Sequence, residues 1–149
     1  MRMIYHYRTE RRESQAILFM QRSTRQRDAI RSVIRGAQRP LSPQEVLEAA
    51  RGSVRALGLA TVYRNLKRLV DEGAVQVINL PGESPRYEVR ESGHHHHFQC
   101  TTCRRVYDVP GCPGDLRRLA PRGFRVEHHD VTLYGRCLDC VRRKARGAR

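Results

Sequence analysis

Hydrophobic residues recur at helical spacing in the segment that follows residue 23. The pattern predicts a first helix that begins at Thr24, a suitable N-cap, and ends at Gly36. Its apolar positions are Ala29, Ile30, Val33 and Ile34. Residues 1–19 have no clear apolar period. They remain open between a short basic arm, a separate helix and an upstream extension of a chain that starts at Met20.

Two further helices and a hairpin follow in the same half of the chain. Ser42, Pro43 and Glu45 form a capping-box pattern, which predicts a second helix that stops near Gly52. A third helix is predicted over residues 60–71, and Gly73 closes it. Residues 75–80 and 86–89 are predicted strands on either side of a turn rich in proline and glycine.

Three short helices followed by a hairpin are typical of a winged helix-turn-helix, whose last helix enters the major groove of DNA. Arginine can bind guanine and asparagine can bind adenine through paired hydrogen bonds. A solvated basic face is the alternative interpretation, but the order of the elements favours DNA binding. Arg22, ahead of the first helix, is also a candidate contact. The candidate contacts on the third helix are Thr61, Tyr63, Arg64, Asn65, Lys67 and Arg68.

Composition sets limits on this interpretation. The chain has 149 residues, enough for one domain or two small ones, and a formal charge of +14. That charge suits nucleic acid, but it is spread over both halves and does not locate a binding face. No apolar run is long enough for a membrane helix, and no signal peptide is visible. The sequence therefore predicts a cytoplasmic protein with no membrane partner.

All five cysteines lie in the second half, and four of them form two Cys-x-x-Cys pairs. Two such pairs can close a tetrahedral site, and thiolates select zinc or an iron–sulfur cluster. Disulfides are rare in the cytoplasm, and a redox dithiol would need a βαβ unit that is not predicted. Structural zinc (Zn²⁺) is therefore predicted. The ligands are Cys100, Cys103, Cys137 and Cys140.

A run of four histidines directly precedes the first cysteine pair. In a strand, alternation would send His94 and His96 to one face and His95 and His97 to the other, so the run can serve two sites. A purification tag is a poor explanation for a run inside the chain. The further candidate ligands downstream are Asp108, Cys112, Asp115, His128 and His129.

These motifs resemble the ferric uptake regulator (Fur) superfamily of metal-dependent bacterial repressors. The resemblance is carried by residues 58–66, by the histidine run with its Cys-x-x-Cys, and by residues 129–137. It implies an α+β chain with a winged-helix DNA-binding domain over residues 20–90 and a hinge at 91–93. A small α/β dimerisation domain with the four-cysteine zinc site would occupy residues 94–149.

The resemblance also implies a regulatory metal site at the hinge, formed by His94, His96 and His129. Its fourth ligand is either Cys112 or Asp115, and spacing within the shortened helix favours Cys112. A second metal site is implied at Glu88, His95, His97 and Asp108. Family members add a histidine where this chain has Pro40 or Leu41, so the second site would be incomplete.

The predicted function is a homodimeric, metal-responsive repressor that binds double-stranded operator DNA. Nitrogen ligands with a thiolate favour Zn²⁺ over Fe²⁺ as the sensed metal, with manganese and peroxide sensing behind. A zinc hydrolase is disfavoured because no catalytic zinc motif is present, so no enzyme activity and no small organic substrate are expected. A zinc-ribbon interaction or metal-storage module would leave the basic third helix unexplained.

Overall fold

The computed structural model describes residues 3–90, 93–112 and 114–147, without the side chains of residues 3–14, 16, 146 and 147. Most of the predicted hinge at 91–93 therefore lies outside the described residues. The chain begins with a helix, α1, that spans Met3–Ala37. The prediction that a helix starts at Thr24 is wrong. Its hydroxyl lies within α1 and donates a hydrogen bond to the carbonyl of Met20, 3.0 Å away.

The capping box is confirmed at the start of the second helix, α2, which spans Pro43–Ala50. The Ser42 hydroxyl accepts a hydrogen bond from the backbone N–H of Glu45, whose carboxylate accepts one from the N–H of Ser42. The third helix, α3, spans Leu59–Asp71. Gly73 follows its C-cap residue, Glu72, and has a φ of +69°, which glycine adopts more readily than other residues.

Strands β1 (Val75–Ile78) and β2 (Arg86–Val89) pair antiparallel and form the wing. Leu41 extends this pairing by exchanging two backbone hydrogen bonds with Tyr87. The three helices and the wing share one hydrophobic core. Its most buried members are Ile30, Val46, Ala50, Val62 and Leu66. A winged helix-turn-helix is the result, as the order of elements predicted.

The second half builds a three-stranded sheet in the order β4-β3-β5. The central strand β3 (His95–Cys100) pairs antiparallel with β4 (Val106–Pro110) and parallel with β5 (Thr132–Gly135). A single turn of 3-10 helix, Leu116–Leu119, lies between β4 and β5, and α4 (Leu138–Gly147) follows β5. The α+β class is thereby confirmed. Among the described helices, none combines the length and the apolar character that crossing a bilayer requires.

Candidate metal centres and nucleic-acid face

Four cysteine thiols converge where β3 ends and α4 begins. Their sulfur atoms all lie within 4.8 Å of one another. We call this group the four-cysteine cluster; its members are Cys100, Cys103, Cys137 and Cys140. The sulfurs of Cys103 and Cys137 are 3.7 Å apart. Thiolates held tetrahedrally at ~2.3 Å from zinc lie roughly 3.8 Å from one another. This donor set therefore fits a closed zinc site.

The electrostatics of this cluster also favour a cation. Burial raises the pKa of Cys100, but backbone N–H groups of Cys103, Cys137 and Thr102 outweigh burial and bring that pKa down to about 6. Burial and the neighbouring thiols raise the pKa of Cys140 to about 12. Four thiolates cannot be charged together in a buried cluster unless a cation neutralises them.

A second group of metal-binding residues, the hinge cluster, consists of His94, His96, Cys112 and His129. The Nε2 atom of His129 lies 3.1 Å from the Nε2 atom of His94 and 3.1 Å from the sulfur of Cys112. These separations are slightly shorter than the distance between two ligand atoms on a tetrahedral zinc ion with nitrogen and sulfur ligands, which is ~3.3–3.6 Å. The cluster joins β3 to the loops on either side of the 3-10 helix.

His96 gives the strongest indication that the hinge cluster holds an ion. Its side chain is only 2% exposed, and its Nδ1 accepts a hydrogen bond from the N–H of Val131. Its Nε2 has no hydrogen-bond partner among the described residues. Burial and the neighbouring His94 and His129 lower the pKa of His96, which favours the neutral ring. While Nδ1 accepts from Val131, the ring proton is on Nε2, so a metal ion could bind Nε2 only in the other tautomer, in which the Val131 contact is given up.

Asp115, the alternative fourth ligand, lies outside the hinge cluster. Its carboxylate accepts hydrogen bonds from the backbone and the guanidinium of Arg117 and caps the 3-10 helix. The structure therefore brings Cys112, and not Asp115, to the hinge cluster. His128 also lies outside it and contacts Asp130, with 3.3 Å between Nε2 and Oδ2.

The other two histidines of the run face the wing, as strand alternation predicts. They form the second cluster, Glu88, His95, His97 and Asp108. Glu88 Oε1 lies 3.0 Å from His95 Nε2, and Glu88 Oε2 lies 3.4 Å from His97 Nε2. Burial raises the pKa of Glu88, but hydrogen bonds from His97 and Gln76 outweigh it and lower that pKa.

Gln76 belongs to this cluster, although the sequence did not single it out. Its amide donates a 2.6 Å hydrogen bond to Glu88 Oε1, which is one of the oxygens a metal would use. The cross-strand register Gln76↔Glu88 could have indicated this pair, because directly opposed residues share a face. The buried carboxylate is thus already held by a neutral donor.

Helix α3 presents four of its predicted DNA contacts to solvent: Tyr63, Arg64, Lys67 and Arg68. Thr61 is half-buried, and its hydroxyl accepts a hydrogen bond from Arg64. Asn65 differs from these four, because it is 4% exposed and its side chain donates to the carbonyl of Thr61, and its contact with DNA stays a prediction. The periodic positions Val62, Asn65 and Leu69 lie on one helix face, so spacing could have revealed the burial.

Arg22 is exposed on α1 and lines a groove with Arg25 and Arg55. Neither Arg25 nor Arg55 is among the contacts predicted from the sequence. The spacing of Arg22 and Arg25 on one helix face is a usable signal, whereas Arg55 comes from the turn between α2 and α3. The groove therefore adds a basic surface that belongs to two separate segments.

Arg86 was also missed, and it joins the wing to the second half. Its side chain is 7% exposed and lies 2.9 Å from a carboxylate oxygen of Glu45. A second guanidinium nitrogen, Nη2, donates to the main-chain carbonyl of Arg104, in the turn after Cys103. Glu83 of the wing pairs with Arg104 as well. No local sequence pattern predicts a contact between residues that lie so far apart in the chain.

Comparisons with known proteins agree with this architecture. The Peroxide operon regulator of Bacillus subtilis is 29% identical over 127 residues, 83% of this chain and 86% of that protein. The Ferric uptake regulation protein of Cupriavidus metallidurans is 32% identical over 114 residues, 73% and 80% of the two chains. The Helicobacter pylori ferric uptake regulator Fur, described as having three functional metal binding sites, superposes with a TM-score of 0.62 at 25% identity, over 78% and 79% of the chains.

Members of the matched family are transcriptional regulators and not enzymes. The match to the Ferric uptake regulator family covers residues 20–134, which include the winged helix, the histidine run and most of the sheet. The chain therefore belongs to the ferric uptake regulator family.

Proposed function

We propose that the chain is a metal-responsive repressor of metal-homeostasis genes that binds operator DNA as a metal-loaded homodimer, with zinc as the sensed metal. The observation that carries this proposal is the hinge cluster. Three imidazoles and one thiolate form a donor set softer than the oxygen-rich sites that suit harder cations. Buried His96 supports the proposal as well, because its Nε2 has no hydrogen-bond partner among the described residues and can face an ion once the ring proton moves to Nδ1.

The four-cysteine cluster has a different role in this proposal. Its sulfurs are largely buried and all four positions are protein ligands, so a structural Zn²⁺ would leave no open coordination position. The hinge cluster is closer to solvent, with His94 and Cys112 exposed. We therefore expect the hinge metal, Zn²⁺ or Fe²⁺, to exchange while the structural zinc stays.

The position of the hinge cluster relates metal binding to DNA binding. A bound cation would supply a cross-link between β3, which follows the winged helix, and the loops that contain Cys112 and His129. His94 and His96 then hold the start of β3 in one orientation relative to the sheet. A fixed orientation of two winged helices favours an operator whose half-sites are about one helical turn apart.

Dimerisation is proposed on the edge of the sheet. Strand β5 is an edge strand, with Leu133 48% exposed and Tyr134 54% exposed. Apolar side chains on an unpaired edge favour pairing with a second copy of the chain. The measurement is the mass of the purified protein by light scattering, and a monomer at micromolar concentration contradicts this part.

The decisive experiment compares DNA binding with zinc and with iron(II) under anaerobic conditions. Elemental analysis first counts the metal in the purified protein. Fluorescence anisotropy then follows a genomic fragment, selected by gel shift, as each metal is added. Tight binding at lower free zinc than free iron supports zinc sensing, and the reverse order identifies an iron sensor. Binding that ignores both metal and chelator contradicts the proposal.

A further inference from the structure

The four-cysteine cluster needs compensating groups beyond the ion that it would hold. Four thiolates around one Zn²⁺ carry a net charge of about −2. Cys100 is 0% exposed and Cys140 is 5% exposed, so water solvates little of this charge. A buried charge is costly unless hydrogen bonds or opposite charges compensate it. The residues around the cluster must therefore supply donors to its sulfurs.

Neutral groups act on the sulfurs of Cys100 and Cys137. The sulfur of Cys100 accepts a hydrogen bond from the backbone N–H of Cys137, 3.3 Å away. The backbone N–H of Cys140 and the hydroxyl of Tyr107, which packs against the cluster, lower the pKa of Cys137. These donors bring dipoles to the cluster, but they add no positive charge.

Cys140 receives a charged donor. Nη2 of Arg143 donates to its sulfur over 3.5 Å, and the two residues are three positions apart on α4, where side chains of adjacent turns meet. Hydrogen bonds between ionised groups are roughly twice as strong as those between neutral groups. In the part of the chain that the structure describes, this sulfur is the hydrogen-bond partner found for Arg143.

Two further arginines lie near this contact but are placed differently. Arg105, Arg142 and Arg143 line one surface groove together with Asp139. Arg105 lies 3.9 Å from a carboxylate oxygen of Asp139, which offsets part of its charge. Arg142 donates to none of the four sulfurs among the described residues. Arg143 is thus the arginine of this groove whose charge reaches a sulfur directly.

We propose that Arg143 is a positioning residue for the structural zinc, and that its guanidinium holds the Cys140 thiolate in place, offsets the negative charge of the cluster and so slows the loss of the ion. The inference rests on one part of the proposed function, the zinc at the four cysteines. Outer-shell donors change metal affinity about 10–100-fold in metal sites of other proteins. Helix α4 thereby holds both a zinc ligand and the counter-charge of that ligand.

The contact also relates α4 to the state of the cluster. A thiolate bound to zinc attracts the guanidinium, whereas a neutral thiol is only a weak acceptor. The sulfur of Cys112, in the hinge cluster, contacts His129 and the carbonyl of Gly114 and receives no guanidinium donor among the described residues. We therefore expect the hinge cluster to release its ion more readily than the four-cysteine cluster.

The test measures how fast the full-length protein gives up its zinc. A mild chelator first empties the hinge cluster, and elemental analysis counts the zinc that stays. An excess of 4-(2-pyridylazo)resorcinol then captures zinc from the four-cysteine cluster, and the absorbance of the complex gives the rate constant. Arg143→Ala is expected to release zinc about 10-fold faster than the parent. If Arg143→Ala does not fold, Arg143→Gln takes its place.

Two matched variants separate the sulfur contact from charge in general. Arg142→Ala removes the same charge from the adjacent position of α4 and should release zinc at the rate of the parent. Arg143→Lys keeps the charge without the guanidinium and should recover part of the difference.

Iodoacetamide labelling with peptide mass analysis gives a second readout, which a general loosening of α4 would not confine to one sulfur. With zinc bound, Cys140 should be alkylated faster in Arg143→Ala than in the parent, because a sulfur that loses a donor is more nucleophilic. Arg142→Ala should be labelled like the parent.

The outcomes are distinct. Equal release rates for the parent and Arg143→Ala overturn the inference, and so does an equal acceleration in Arg142→Ala, which would reduce the effect to charge in general. If the parent holds zinc at the four cysteines and Arg143→Ala releases it equally slowly, the structural zinc stands and the inference alone fails. A parent without zinc at the four cysteines contradicts the structural role in the proposed function, and the inference fails with it.

Discussion

His94 and His129 bring their Nε2 atoms to 3.1 Å from each other although 35 positions separate them in the chain. His94 directly follows the link between the two halves, and His129 precedes β5. Two imidazole nitrogens this close can offer their lone pairs to one cation. A cation shared by the two rings would link the start of β3 to the loop that leads into β5.

Replacing Cys112 with serine should weaken zinc binding at the hinge cluster. The hydroxyl is a poor substitute for a thiolate, and even the loss of an outer-shell partner costs about 10–100-fold in metal affinity. We expect a loss of at least about 100-fold, measured by competition with a chelator of known affinity. Asp115→Asn is the matched control, because Arg117 and not the cluster holds Asp115. Equal losses in both variants would contradict the assignment.

Arg64→Ala should weaken binding to the selected genomic fragment by about 1–3 kcal/mol and leave unfolding within about 0.5 kcal/mol of the parent. Arg64 is exposed on α3 and contacts only Thr61 among the hydrogen-bond partners found for it. Anisotropy with specific and unrelated DNA is the measurement. The same loss on both DNAs indicates a phosphate contact in place of base recognition.

Asn65→Ala should have the opposite effect, with a loss of stability and no loss of DNA specificity. Its amide donates to the carbonyl of Thr61 inside the helix, and the side chain is buried against the core. We expect a loss of about 1 kcal/mol in unfolding free energy, with the preference for specific DNA retained. Urea unfolding and anisotropy together test this. An unchanged stability with lost specificity would restore Asn65 as a base contact.

Acid should remove the stabilisation that Glu45 provides. Burial raises the pKa of this carboxyl, but hydrogen bonds from Arg39 and from the Ser42 N–H, with the charge of Arg86, outweigh burial and lower it. A lowered folded-state pKa means that the stabilisation is complete above the ordinary value of 4.5 and is lost as the pH falls through the folded value. Urea unfolding from pH 6 to 3 measures it, with Glu45→Gln as control. The unfolding free energies of the parent and of Glu45→Gln should converge in acid. A difference between them that stays constant with pH contradicts the linkage.

Chelation should remove metal in two stages. The hinge cluster, with His94 and Cys112 exposed, is expected to lose its ion to a mild chelator while the sheet stays folded. Removal of zinc from the four-cysteine cluster should unfold the sheet, because structural zinc supplies about 10–16 kcal/mol in small metal-dependent domains. Circular dichroism with elemental analysis follows both stages. Loss of both ions in one step contradicts the difference in role.

Local signals predicted most of the winged helix. The capping box at Ser42 and the glycine that ends α3 each depend on a few neighbouring residues, and the structure has both. Thr24 failed as a helix start because α1 continues through it from Met3. A threonine within a helix can bond to the carbonyl four residues earlier, so its presence does not require a helix end.

The hinge cluster was only partly predictable. Strand alternation separated His94 and His96 from His95 and His97 without any tertiary information. The choice between Cys112 and Asp115 depended on a loop whose path the sequence does not specify. Asp115 is engaged by Arg117, two residues away, and such local capping competes with metal ligation. The contact of Arg86 with Arg104 depends wholly on how the two halves meet.

Arg86 fastens the two halves together at one point. It contacts Glu45 at the start of α2 and the main chain of Arg104, one residue beyond the four-cysteine cluster. Because this point lies apart from the hinge cluster, we expect an ion bound there to change the angle between the winged helix and the sheet and not to shift one along the other.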